Sequence, residues 1–118
     1  MKTVSANNCP VEITLQLIGN KWNVLIIREL LQGTRRFGEL NRGITGISQK
    51  MLTQQLRQME RDGLVRRKVY AQVPPKVEYS LTAVGHSLEP VLEAMSRWGQ
   101  WYSRRTVESA GINPASAS

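Results

Sequence analysis

The stretch ISQKMLTQQLRQMERDGLVRRKVYAQVPPKVEYSLT, from Ile47 to Thr82, decides the fold. Its first half has a helical period. Ser48 is a good N-cap, because its hydroxyl can accept from the free N–H groups of the next turn. Met51 or Leu52, then Leu56 and Met59, recur on one side as far as about Asp62, and Gly63 closes the helix. The opposite side carries Gln49, Lys50, Thr53, Gln54 and Arg57. The period then changes. Leu64 to Ala71 is β-branched and aromatic with short-range alternation, and Val77 to Leu81 alternates cleanly, with Val77, Tyr79 and Leu81 on one side. Pro74 and Pro75 lie between the two runs, which predicts a β-hairpin with a stiffened tip.

Upstream of this stretch, three shorter helices are expected. Pro10 suits a first helical position, and Val11, Leu15 and Ile18 share a face before Gly19-Asn20 ends the helix. A second helix runs from about Lys21 to Gln32, with an apolar stripe of Trp22, Leu25, Ile26, Ile27 and Leu30, and stops at Gly33. A third spans roughly Arg36 to Arg42, with Phe37, Leu40 and Ile44 facing inward. Downstream, Thr82 can cap a last helix with Val84, Leu88, Val91 or Leu92, Met95, Trp98 and Tyr102 at steps of three and four. Pro90 would break or kink it. Residues 1–8 are expected to be flexible and residues 106–118, rich in Ser and Ala, to be a disordered tail. The order is four helices, a hairpin and a helix. This predicts a mainly α fold with a small β-hairpin, a winged helix-turn-helix over residues 9–105.

Charge agrees with that order. The chain has 118 residues, one domain's worth, and a net charge of +7. Ten basic residues and three acids fall between Thr34 and Lys76, so the whole excess lies in the predicted helix-turn-helix and wing. A clustered excess points to an anionic partner. No apolar run is long enough to span a bilayer and the start lacks a signal-peptide core, so a cytoplasmic location without a membrane partner is expected. One Cys and one His exclude zinc clusters and multi-His metal sites, so no metal or cofactor is expected. His86 has no nucleophile to serve, and no phosphate-binding glycine loop is present, which argues against an enzyme.

In a helix-turn-helix the second helix of the pair enters the major groove and reads base edges. Its residue types are suitable here. Gln49 and Gln54 can pair with adenine, Lys50 with guanine, and Thr53 with a base edge or a thymine methyl. Ser48 and the helix N-terminus suit a phosphate. Arg57, and Arg61 beyond it, are placed to meet phosphates. Arg35 and Arg36 precede the third helix as backbone contacts, and Arg67, Lys68 and Lys76 belong to the wing. Strand alternation puts Arg66 and Lys68 on one face and Arg67 on the other. Arg66 and Arg67 could equally be strand-edge charges that discourage aggregation.

The chain resembles the HxlR-type winged-helix transcriptional regulators of bacteria over about residues 9–102. The resemblance rests on Cys9-Pro10-Val11, Gly19-Asn20-Lys21-Trp22, Gly33 to Leu40, Ile44 to Leu52, Asp62-Gly63-Leu64-Val65, Pro74 to Tyr79, Leu81-Thr82, Pro90 and Trp98-Gly99, in this order and spacing. It implies a homodimer on paired half-sites of double-stranded DNA, with Ser48 to Arg57 as the reader, Arg67 to Lys76 as the wing, and the first and last helices as dimerisation elements. Leu15, Leu88, Leu92, Met95, Trp98, Trp101 and Tyr102 are the dimer candidates; the last-helix members are more apolar surface than one short domain needs. Some members resemble thiol sensors that use a Cys before Pro-Val, so Cys9 is the candidate for a thiol-reactive effector. Independently, a helix N-terminus favours a thiolate, although a small packed cysteine is the plainer reading. A basic winged-helix module that binds RNA or a protein without reading sequence is the alternative function.

Overall fold

The computed structural model describes residues 9–110, with side chains described as far as residue 105. Residues 1–8 and 111–118, where a flexible start and most of a tail were expected, lie outside the described residues. The elements are α1 (Pro10–Ile18), α2 (Lys21–Leu31), β1 (Arg35–Arg36), α3 (Phe37–Gly43), α4 (Gln49–Arg61), β2 (Val65–Tyr70), β3 (Lys76–Leu81), α5 (Ala83–His86) and α6 (Glu89–Ala110). This is the mainly helical winged helix-turn-helix that the sequence implies. Two compact units divide at Ser87–Leu88.

The first unit is organised around α4. Leu52, Leu56 and Met59 are almost wholly buried at the four- and three-residue spacing of one helical face. Around them lie Ile26, Ile27 and Leu30 of α2, Leu40 of α3, Leu64, and Val65, Tyr79 and Leu81 of the sheet. Both ends of α4 are closed by sequence-local chemistry. The Ser48 hydroxyl accepts from the Met51 N–H at 3.0 Å. At the other end the Leu64 N–H donates to the Met59 carbonyl and the Gly63 N–H to the Glu60 carbonyl. Gly63 adopts φ +80° to allow this, the left-handed cap that only glycine adopts without strain.

The wing is a three-stranded antiparallel sheet in the order β1-β3-β2. The expected hairpin is present, with Val65 opposite Leu81 and Tyr70 opposite Lys76. The third strand, β1, is new: Arg35 pairs with Tyr79 and Arg36 with Glu78. A two-residue strand has no periodicity of its own, so only the tertiary pairing reveals it. Arg36 is thereby strand and N-cap rather than the first residue of α3, and the Glu39 carboxylate accepts from its backbone N–H at 2.8 Å.

Thr82 joins the sheet to the end of α4. Its hydroxyl donates to the Gly63 carbonyl at 2.6 Å and accepts from the Gly85 N–H at 3.0 Å, which caps α5. Gly85 is buried where a Cβ would strike the Leu64 carbonyl oxygen. The expected single last helix is in fact two. The break falls at Ser87–Leu88, ahead of Pro90, which becomes the second residue of α6. There its missing N–H costs nothing, because first-turn donors have no partner within the helix. The second unit is built on α6, whose backbone stays helical to Ala110, beyond the expected boundary at 105. Once nucleated, a helix gains a hydrogen bond for each residue added.

Candidate nucleic-acid interface

Ser48, Gln49, Lys50, Gln54 and Arg57 are exposed and Thr53 is half-buried. At about 100° per residue, the five that lie within α4 fall inside an arc of about 140°. Leu52, Leu56 and Met59 lie outside that arc, within about 60° of one another. One amphipathic helix is thus anchored by its apolar side and offers amides, a hydroxyl and cations on the other, the groups that hydrogen-bond base edges and phosphates.

The sheet register divides the wing cations into two sets. Arg67 stands opposite Tyr79, which stands opposite Arg35, so these three share the inner face. Arg67 joins Thr53, Arg57, Glu60 and Arg61 around a groove of about 560 Å³ floored by Phe37, Leu56 and Tyr79. The groove therefore runs between α4 and the sheet. Arg35 also donates to its own neighbour, the Thr34 carbonyl, at 3.1 Å.

Arg36, Lys68 and Lys76 share the outer face with Arg66, Tyr70 and Glu78. The Lys68 and Lys76 ammonium groups lie 4.9 and 4.8 Å from the centre of the Tyr70 ring. The Tyr70 hydroxyl donates to Glu78 Oε1 at 2.9 Å, and Lys76 Nζ lies 3.4 Å from Glu78 Oε2. The Tyr70 hydrogen bond chiefly holds the Glu78 carboxyl below its ordinary pKa. Partial desolvation opposes this, and Lys76 and Arg36 add to it. Sequence reading missed Tyr70 and Glu78 as parts of this cluster. The signal was present in the alternation that groups Lys68 with Tyr70, but the cross-strand partners required the register.

Among the described residues Lys76–Glu78 is the one ion pair. The other cations between Arg35 and Arg67 form no ion pair among the described residues, although Arg36 acts on Glu78 across the strands. No helix among the described residues is long and apolar enough to cross a membrane.

Two further sets lie away from the groove and wing. Cys9 is exposed and is the N-cap of α1, without a side-chain capping bond. On the same helix Leu15 is 58% exposed. On α6, Met95, Trp98, Trp101 and Tyr102 are all about half exposed, while Leu88 is intermediate. Leu92 differs from the expected pattern: it is buried in the single chain and has little surface left to offer a partner. Trp98 stacks on Tyr102 with ring centres 5.1 Å apart and planes at 9°, and Trp101 packs beside it at 6.0 Å.

Known proteins share this arrangement. A family model described as HxlR-like helix-turn-helix matches residues 17–107. The chain is 53% identical over 97 residues to the uncharacterized HTH-type transcriptional regulator YdeP of Bacillus subtilis (strain 168), covering 82% of this chain and 76% of YdeP. Among solved structures, the redox regulator HypR in its reduced form has a TM-score of 0.78 at 50% identity, over 86% of this chain and 99% of that one. HypR in its oxidized form has a TM-score of 0.74 at 52% identity, over 78% and 95%. A helix-turn-helix with a wing, matched over most of its length to one family of regulators, places this chain in the HxlR-like helix-turn-helix family: it is a transcriptional regulator and not an enzyme.

Proposed function

We propose that the protein is a sequence-specific regulator that binds paired half-sites of double-stranded DNA as a homodimer and responds to thiol-reactive compounds through Cys9. The observation that carries the DNA reading is the combination of an anchored α4 with a field of cations of which only Lys76 forms an ion pair among the described residues. Gln49, Lys50, Thr53 and Gln54 read base edges. Ser48, Arg57, Arg67, Lys68, Lys76, Arg35 and Arg36 hold the phosphates. Arg57 and Arg67 act together from the groove, and Lys68 and Lys76 act from the wing. A second copy covers the aromatic surface of α6 formed by Met95, Trp98, Trp101 and Tyr102, with Leu88 at its start. On α1, Leu15 is a further dimer contact.

For Cys9 the support is its exposure at the start of a helix and the likeness to HypR, a redox regulator solved in oxidized and reduced forms. A disulfide between protomers, a mixed disulfide with a small thiol, or an adduct would load the end of α1 and alter the spacing of the two reading helices.

The test is fluorescence anisotropy with duplexes from the chain's own upstream region, titrated with salt and competed with random DNA and with duplex RNA. The expected result is a preference for one palindromic duplex, with half-site centres about one helical turn apart, and a steep loss of affinity with salt. Equal affinity for random DNA, or stronger competition by RNA, would overturn the reading. Diamide should release the wild type and leave Cys9→Ser bound; an equal response of both would remove Cys9 from the mechanism.

A further inference from the structure

Lysine is a poor phosphate clamp when its four-carbon stem is free, because binding must first immobilise it. Both wing lysines lie against one ring. The ammonium groups of Lys68, two residues before Tyr70 on the same strand face, and of Lys76, its cross-strand partner, lie within 5 Å of its ring centre. The negative face of an aromatic ring attracts such cations. The hydroxyl of the same tyrosine occupies Glu78 Oε1, so Lys76 meets Oε2 at 3.4 Å. Glu78 also stands directly opposite Lys68 in the register. A carboxylate free to turn would reach Lys68 as well and cancel its charge.

We infer that Tyr70 is a positioning residue of the wing: its ring holds Lys68 and Lys76 at the wing for the DNA backbone, and its hydroxyl fixes Glu78 so that the carboxylate pairs with Lys76 alone and leaves the Lys68 charge available to a phosphate. This rests on the DNA-binding reading above. Two ammonium groups at one ring repel each other, and Glu78 offsets only part of that repulsion. A phosphate oxygen arriving at the wing supplies the remaining negative charge without the lysines having to be ordered first.

The test is binding of the full chain to a labelled random-sequence duplex over a series of salt concentrations, since a phosphate contact is independent of sequence. Tyr70→Leu, which removes the ring and the hydroxyl, is expected to weaken binding roughly three- to tenfold and to flatten the salt slope by about one to two counterions. Tyr70→Phe keeps the ring and frees Glu78, so it should bind about two- to threefold more weakly than wild type. Glu78→Gln placed in the Tyr70→Phe background should restore the affinity and the slope. A merely structural tyrosine would lower the folded fraction without changing the slope, and Glu78→Gln would then strengthen binding equally in the wild-type and Tyr70→Phe backgrounds. If the wild type binds and both Tyr70 variants match its affinity and slope, this inference is overturned alone. If the wild type does not bind DNA, the DNA-binding reading falls and takes this one with it.

Discussion

Arg67 and Lys68 are adjacent in the chain and stand on opposite faces of the sheet, Arg67 across from Tyr79 and Lys68 across from Glu78. The two cations therefore serve different neighbourhoods. Arg67 completes the groove beside Arg57, whereas Lys68 belongs to the outer cluster with Lys76. Arg67→Ala and Lys68→Ala should each reduce the salt slope of DNA binding by about one counterion. Their couplings should differ. In double-mutant cycles Arg67 is expected to couple with Arg57 and to add independently to Lys76, and the anisotropy titrations that measure the slope also measure this.

Exposure along α4 allows base contacts and backbone contacts to be tested separately. Lys50→Ala and Gln54→Ala should each relax the preference at one base position by about 1–3 kcal/mol, with random-sequence binding nearly unchanged for Gln54→Ala and weakened for Lys50→Ala, which also removes a cation. Arg57→Ala should weaken all duplexes alike. Selection from a randomised duplex pool with each variant, followed by sequencing, shows which positions lose information.

Leu52 lies on the same helix as these readers with no surface exposed. Leu52→Ala should cost about 2–5 kcal/mol of stability through lost burial and the cavity left behind. Gln54→Ala, on the exposed side, should stay within about 0.5 kcal/mol of wild type. Urea unfolding followed by circular dichroism distinguishes the two. Gly63→Ala should fall between them at about 1 kcal/mol, because the alanine must adopt φ +80°.

The rings of α6 leave broad apolar surface uncovered in one chain, with Trp98 61% exposed and Trp101 53%. Trp98→Ala and Trp101→Ala should shift the protein from dimer to monomer at micromolar concentration, and Trp98→Ala should also remove the stack on Tyr102. Sedimentation velocity over a dilution series reports this. An unchanged association constant for both variants would place the dimer contact elsewhere.

The Glu78 carboxyl is held below its ordinary value, mainly by the Tyr70 hydroxyl. Its folded value is the lower one, so the stabilisation is fully present above the ordinary glutamate range. It is lost as pH falls through the lowered folded value. Carbon NMR of the Glu78 carboxyl should show a midpoint below that of a free glutamate. Tyr70→Phe should move it upward.

The helices and the wing were legible because their signals are local. The apolar spacing of Leu52, Leu56 and Met59, the Ser48 cap and the Gly63 stop each act within one or two turns, and strand alternation already put Arg67 opposite in facing to Lys68. The position of the charge was equally local, since counting cations between Thr34 and Lys76 needs no structure. Other features needed the fold. Arg35 and Arg36 form a strand only because Tyr79 and Glu78 lie beside them to take their backbone bonds. The last helix breaks before Pro90, because a proline is tolerated in a first turn. The join of sheet to reading helix depends on Thr82 reaching Gly63, nineteen residues away.

Period, capping and charge are properties of neighbours along the chain, so a helix-turn-helix with a basic wing and the exposed polar face of α4 could be read without coordinates. Which cations are grouped depended on the fold. Cross-strand register sent Arg67 to the groove with Arg57 and gathered Lys68, Lys76 and Glu78 about Tyr70, since side chains distant in sequence meet only where strands pair.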